Sequence, residues 1–403
     1  MTPTQLDAAD PLADCRARFR LPEGIVYLDG NSLGAMPAAA PERLRQVAEE
    51  QWGIDLIGSW NSHGWIDWPR RIAAKLAPIV GAKPSELIIA DSTSICLFKA
   101  LGAALSLDRS RSRIVSRDDE FPTDLYVAAG LAALNPEVEL IARDWREIEG
   151  LLGDNVTVLM LSHVDYRSGR RFDMRHYNQV AHAAGALSLW DLSHSAGAVE
   201  VDLDGSGCDL AVGCGYKFLN GGPGAPAFLF VAEHLQERLR SPIQGWMGHA
   251  RPFDFAAGYE PAPGIDRFLT GTPSILALAA LEAGLDTFEG VSMADVEAKG
   301  SALARLFIDA VERRCGLSLG RQRGRAGRGS HVVVPHPNAY AVIQALIERG
   351  VIGDFRPPDL MRFGFAPLYN SYTEVAQAAE TLADVLANGE WRQPRFAERK
   401  SVT

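Results

Sequence analysis

An α/β fold with a large, mostly parallel sheet and a smaller α+β domain towards the C-terminus is predicted by three features of the chain. Short apolar runs alternate with segments of helical periodicity between residues 86 and 231. Polar residues gather just past the ends of several of those runs. After about Thr272 the rhythm turns helical and then mixed. Strands alternating with helices imply a parallel sheet covered on both faces. In such sheets ligands sit in the loops beyond the carboxyl ends of the strands.

From the N-terminus, the first 50 residues hold an extended piece, "GIVYLDGNSLG", and a helix from Pro41 to Trp52, before an aromatic loop, "WNSHGWIDWPRR". The strand candidates are "ELIIA", "SRIVSR", "EVELIA", "TVLMLSHV", "ALSLWDLS", "DLAVGCG" and "APAFLFV". Helices are expected near "DSTSICLFKALGAALSL", "TDLYVAAGLAAL" and "DMRHYNQVAHAAG". The C-terminal portion reads as "PSILALAALEAGLDTFEGV", a helix through Arg314, "SHVVVP", "AYAVIQALIERGV", "LMRFGFAPLYN" and a last helix from Thr373. The expected division is an N-terminal segment, 1–60, associated with the small domain, a large domain, 61–285, and a small domain, 286–403.

With 403 residues, 47% of them hydrophobic, the chain is long enough for more than one core. A formal charge of −10 argues against nucleic acid as a partner. The basic run "GRQRGRAGRGS", residues 320–330, reads as a solvated loop because glycines separate its arginines. Five scattered cysteines with no CxxC or zinc spacing fit a reducing compartment. No run of 18 apolar residues occurs, so no membrane association is expected. A soluble cytoplasmic protein is the expectation.

The chemistry gathers at two strand ends. Asp191 closes "ALSLWD", and Lys217 comes directly after "DLAVGCGY". Neither a carboxylate nor an ammonium is cheap to desolvate alone. A buried Asp–Lys salt bridge is the plain alternative. The sharper reading has both groups hold pyridoxal 5'-phosphate, the lysine through a Schiff base and the aspartate at the pyridine nitrogen. That reading needs a phosphate site. "ELIIADSTSICLFKAL" supplies one in Thr93, Ser94 and a helix N-terminus, with Ser94 also readable as an N-cap. It also needs a ring contact, and "DDEFPTDLY" offers Phe121 with Thr123 and Asp124 beside it.

Taken together, "YLDGNSLG", "STSICLFKAL", "EFPTDLY", "DLSHSAGAVEVDL", "GYKFLNGGPG", "GWMGH" and "FAPLYNSY" resemble the kynureninases, a family of fold type I (aspartate aminotransferase-like) pyridoxal-phosphate enzymes. The resemblance implies a seven-stranded, mostly parallel sheet, a homodimer with active sites at its interface, and PLP-dependent hydrolysis of L-kynurenine to anthranilate and L-alanine. Lys217 would then bear the Schiff base, Asp191 would contact the pyridine nitrogen, and His194 would sit at the ring. Thr93, Ser94 and Tyr216 would serve the phosphate, Phe121 would stack on the ring, and Thr123, Asp124 and Ser162 would touch the cofactor. Trp246 and Thr272 would arrive from the neighbouring subunit, and Arg362 would hold the substrate α-carboxylate. Tyr216 would also be the proton donor to the β-carbon. Trp65, His63 and Gly271 are expected near the substrate and suit kynurenine over its 3-hydroxy analogue, although Trp60, Trp65 and Trp68 also read as interface packing. Cys96 stands where many family members have Asn.

Rival readings remain. A cysteine desulfurase needs a mobile nucleophilic cysteine, and only Cys315 is remotely placed for that; an aminotransferase would share the cofactor site. A non-catalytic PLP-binding regulator would carry a fused DNA-binding segment, which is not visible. A metal hydrolase is disfavoured because the nine histidines show no HExxH spacing; His331 and His336 merely flank a strand.

Overall fold

In the computed structural model, which describes residues 1–319, 322 and 327–400, two hydrophobic cores organise the chain. The first is built around a seven-stranded sheet: β1 (Leu87–Ala90), β2 (Arg113–Arg117), β3 (Glu139–Arg143), β4 (Val156–Ser162), β5 (Leu187–Asp191), β6 (Leu210–Cys214) and β7 (Ala227–Val231). Its order is β1-β7-β6-β5-β4-β2-β3. Only β7 runs antiparallel to its neighbours, between β1 and β6. All seven expected runs therefore became strands. β1, β4, β6 and β7 are buried along their whole length, which is why they read as unbroken apolar runs.

Helices α1 (Trp68–Val80), α2 (Thr93–Leu107), α3 (Pro122–Leu134), α4 (Met174–Ala183) and α5 (Ile275–Asp286) accompany this sheet. The expected helix from Pro41 to Trp52 is present, but its second half, Gln46–Trp52, is wound as a π-helix.

The second core belongs to a smaller α+β domain. A three-stranded antiparallel sheet, ordered β8-β10-β9, joins β8 (His331–Pro335), β9 (Asp354–Arg356) and β10 (Leu360–Gly364). Helices α6 (Met293–Cys315), α7 (Ala339–Glu348) and α8 (Tyr372–Asn388) cover it. α6 links the cores, with Val296 in the first and Leu303 and Phe307 in the second. The N-terminal segment also divides. Leu12, Phe19 and Val47 pack into the first core, whereas Val26 and Leu28 pack into the second, where Val26–Tyr27 pairs with Val351–Ile352.

The basic stretch 320–330 lies largely outside the described residues. No helix among the described residues is long and apolar enough to cross a membrane. All five cysteines are free thiols.

Candidate active site

Parallel strands β4, β5 and β6 end side by side, with Ser162 level with Asp191 and Asp191 level with Val212. The loops leaving these three strands therefore converge on one edge of the sheet. Lys217 lies three residues past β6 and is 8% exposed. Its Nζ is 3.5 Å from His194 Nε2, and 5.6 Å and 5.8 Å from the ring centroids of Phe121 and Tyr216. Among the described residues Lys217 forms no ion pair, so the plain salt-bridge alternative does not hold. Asp191 is buried, and its Oδ1 accepts the Ser193 N–H at 2.7 Å.

Asp124 sits in the first turn of α3, immediately after Phe121, the N-cap. It is buried, and neither carboxylate oxygen has a hydrogen-bond partner. Burial above all, then the charges of Asp191 and Glu120, pushes its carboxyl well above the ordinary aspartate range. Glu120 is committed to the backbone: its two oxygens accept the N–H groups of Phe121 (3.1 Å) and Ser162 (2.9 Å), tying the aromatic turn to the end of β4. His194 is held neutral by burial first, then by Lys217 and Arg362. The Tyr216 phenol is raised by burial and by the neighbouring Cys214 and Asp191, so it stays protonated and able to donate.

The strand end of β1 leads into α2 through Asp91 and Ser92. Ser92, not Ser94, is the N-cap, and its side chain makes no capping bond, so the first N–H groups of a 15-residue helix lack partners within it. Thr93 and Ser94, both half-buried, open that helix. Asp91, with φ of 44°, turns aside to pair with the buried Lys99 and to accept Thr270 Oγ1 at 3.0 Å. Cys96 faces inward, its thiol on the Ala90 carbonyl at 3.3 Å, away from the turn.

"YLDGNSLG" finds its reason here. Gly34 donates its N–H to the Tyr216 carbonyl at 2.8 Å, and a Cβ at Gly34 would lie 2.3 Å from the Lys217 carbonyl oxygen. Only glycine allows the N-terminal segment to lie against the lysine loop this closely.

Arg362, on β10, is 1% exposed. It donates from Nε to Asp354 Oδ1 (2.9 Å) and from Nη2 to Asp354 Oδ2 (2.5 Å) and Ser32 Oγ (3.0 Å). Its Nη1 donates to the Tyr166 carbonyl at 2.6 Å, across to the large domain. Tyr166 in turn meets Phe121 edge-on at 5.2 Å.

The remaining sequence candidates lie elsewhere in the chain. His63 pairs with Asp55 at 2.6 Å. Trp65 is buried, donates its indole N–H to Gln51 at 2.7 Å, and packs edge-on against Trp60. Neither has a hydrogen bond, ion pair or ring contact to Lys217, His194 or Arg362. Trp246, Gly271 and Thr272 are exposed.

Three site residues are not legible as such in the sequence. His331 is fully buried at the start of β8, its ring 5.8 Å from that of His194, with both nitrogens unpartnered among the described residues. Its sequence context offers only a histidine beside a strand, without metal-ligand spacing. Asp354 and Ser32 surround Arg362; Ser32 lies within "YLDGNSLG", but nothing in that motif marks its role.

These residues suit pyridoxal phosphate. An amine without a carboxylate partner, two carboxylates (one with orphaned oxygens), an aromatic face and a free helix N-terminus supply its anchoring groups. Residues 296–382 match the family model described as the kynureninase C-terminal domain. Kynureninase of Pseudomonas fluorescens is 48% identical over 99% of this chain and 98% of its own. Kynureninase of Deinococcus radiodurans is 51% identical over 94% and 95%. Among solved structures, a cysteine desulfurase from Thermococcus onnurineus superposes with a TM-score of 0.78 at 20% identity, covering 93% of this chain and 98% of that one. A C-DES variant with glycine covalently linked to its PLP cofactor also superposes at 0.78, with 18% identity, over 92% and 99%. At such identities the two structures establish the shared fold, and the two sequence relatives establish the family. With kynureninases at 48% and 51% identity over nearly its whole length, the chain belongs to the kynureninases.

Proposed function

We propose that this site hydrolyses L-kynurenine to anthranilate and L-alanine. One observation carries the assignment of its centre: Lys217 is a buried amine with no ion-pair partner, set among Phe121, Tyr216 and His194. Thr93, Ser94 and the start of α2 would hold the cofactor phosphate, and Tyr216 would reach it. Phe121 and His194 would take the ring, Asp191 its nitrogen, and Thr123, Asp124 and Ser162 its edge. Pyridoxal phosphate, when bound, supplies an electrophilic carbon for amines and a cationic ring that accepts an electron pair.

The chain's own groups do the rest. Arg362 binds the substrate α-carboxylate through the N–H that its own partners leave free, a charge-assisted hydrogen bond. Lys217 Nζ takes the proton from the substrate α-carbon. Water adds at the γ-carbonyl, the Cβ–Cγ bond breaks, and the Tyr216 O–H delivers the proton that completes the methyl group of alanine. A neutral His194 adds no second cation beside the lysine.

The enzyme works as a homodimer in which Trp246 and Thr272 reach the cofactor site of the other subunit. Their exposure supports this, as does the exposed Phe253 packed edge-on against Trp246. A reducing cytoplasm suits five free thiols. Kynurenine is favoured over its 3-hydroxy analogue, with His63 and Gly271 as candidate contacts. The burial of Trp65 and its bond to Gln51 favour packing for that residue.

The test is an absorbance and fluorescence titration of the purified holoenzyme with L-kynurenine. Anthranilate fluorescence should rise with stoichiometric alanine. Sulfide release from cysteine, with no anthranilate, would overturn the assignment.

A further inference from the structure

We infer that Asp354 is a positioning residue for substrate recognition, holding the Arg362 guanidinium by its Nε/Nη2 edge so that its remaining Nη1–H is left to the substrate α-carboxylate. The inference rests on the assignment of Arg362 to that carboxylate. β9 and β10 are antiparallel, and their register places Asp354 directly opposite Arg362. Cross-strand neighbours on one face lie within side-chain reach. The pair is therefore built into the sheet, and both side chains are almost wholly buried, Arg362 at 1% and Asp354 at 3% exposed.

An arginine has five N–H donors. Asp354 takes Nε–H and one Nη2–H, Ser32 the other Nη2–H, and the Tyr166 carbonyl one Nη1–H. One Nη1–H remains for the substrate. Ser32 locks the arrangement, since its hydroxyl donates to Asp354 Oδ2 at 2.6 Å while accepting from Arg362 and from Arg356 (3.3 Å).

The charge balance fits the same role. Arg356 also meets Asp354, at 2.8 Å, so two guanidinium ions face one carboxylate. Burial opposes ionisation of Asp354, but the hydrogen bonds and charge of Arg362, with Arg356 and Ser32, hold its carboxyl below the ordinary range. The neighbouring Asp29 is pushed up to about 7 by burial and then by Asp354, so near neutrality it offsets only part of the remaining positive charge. One more carboxylate completes the cluster, and the substrate brings one.

The test compares two inhibitors of the holoenzyme. One is the desamino acid of kynurenine, which keeps the carboxylate; the other is the decarboxylated amine, which lacks it. Asp354→Asn should raise KM for kynurenine and Ki for the acid by roughly 10- to 100-fold, the range for a weakened charged hydrogen bond. Ki for the amine should stay within about twofold and kcat should change less than KM. Equal weakening of both inhibitors, or of neither, would overturn the inference. Should Asp354→Asn fold poorly, Ser32→Ala removes the lock and keeps the charges. It should show the same selectivity at a smaller, roughly 3- to 10-fold, size; a loss common to both inhibitors, or none, would count against the inference. Arg362→Lys separates the two layers. If it spares the acid, the assignment of Arg362 fails. If it weakens the acid while Asp354→Asn does not, the positioning role alone fails.

Discussion

Lys217 and Arg362 are both buried cations of the proposed site, and the fold treats them in opposite ways. Arg362 is met by a carboxylate on two of its nitrogens, a hydroxyl and a carbonyl. Lys217 has an imidazole nitrogen at 3.5 Å and no carboxylate. A group that must stay fixed while it binds is satisfied in advance. In the proposed roles, the group that would form and break bonds is the one left under-partnered. Strain and unmet polar groups concentrate where chemistry needs them.

The largest effect that bears on this contrast is on turnover. Lys217→Ala should reduce kcat by at least about 10²- to 10⁴-fold, the span of a lost acid–base group, and should abolish the visible absorbance of the lysine-bound cofactor. Turnover retained without that band would break the assignment. Arg362→Met should cost on the order of 2 kcal/mol of folding stability, because buried Asp354 loses its two-nitrogen partner while keeping Arg356 and Ser32. Denaturant midpoints would show a loss below about 1 kcal/mol if Asp354 were in fact hydrated.

The arginine cluster also predicts a pH dependence. The Asp29 carboxyl rises from 3.8 to about 7 on folding, chiefly through burial and then through Asp354. The folded chain therefore binds the proton more tightly than the unfolded chain between those values. Its stabilising share is complete below pH 3.8 and is lost as pH rises towards 7. Asp29→Asn should flatten that decline, with an effect on the order of 4 kcal/mol at neutral pH. Unchanged slopes in unfolding measured from about pH 5 to 8 would rule out the buried carboxyl as its source. The smallest expected effect is at Trp65→Phe, which removes one indole hydrogen bond to Gln51. It should cost about 1 kcal/mol and leave kcat/KM for kynurenine unchanged. A fall in kcat/KM would return Trp65 to the substrate site.

Most of the fold was legible because its signals are local. Buried parallel strands such as β4, β5 and β6 are largely apolar runs, and polar residues mark the ends of two of them, Ser162 on β4 and Asp191 on β5. Lys217 was legible for the same reason, as a cation directly after an apolar strand. The arginine cluster was only half legible. Arg362 stood in a motif, but Asp354 lies in a three-residue strand with no pattern of its own. Its role exists only through the β9–β10 register, and that register is a tertiary fact. His331 shows the converse, a residue without a metal motif that the meeting of the two domains brings beside His194. Ser92 replaced Ser94 as the N-cap because α2 begins at Thr93, a boundary set by the turn at Asp91.

The contrast between the two cations is tested most directly by unfolding cofactor-free Lys217→Met and Arg362→Met side by side with the parent chain. Lys217→Met is expected to be as stable as the parent or more so, because a buried amine without a carboxylate partner is replaced by an apolar chain of similar length, while Arg362→Met loses on the order of 2 kcal/mol. A Lys217→Met variant destabilised as much as Arg362→Met would contradict this, since the lysine would then be as fully satisfied by the fold as the arginine.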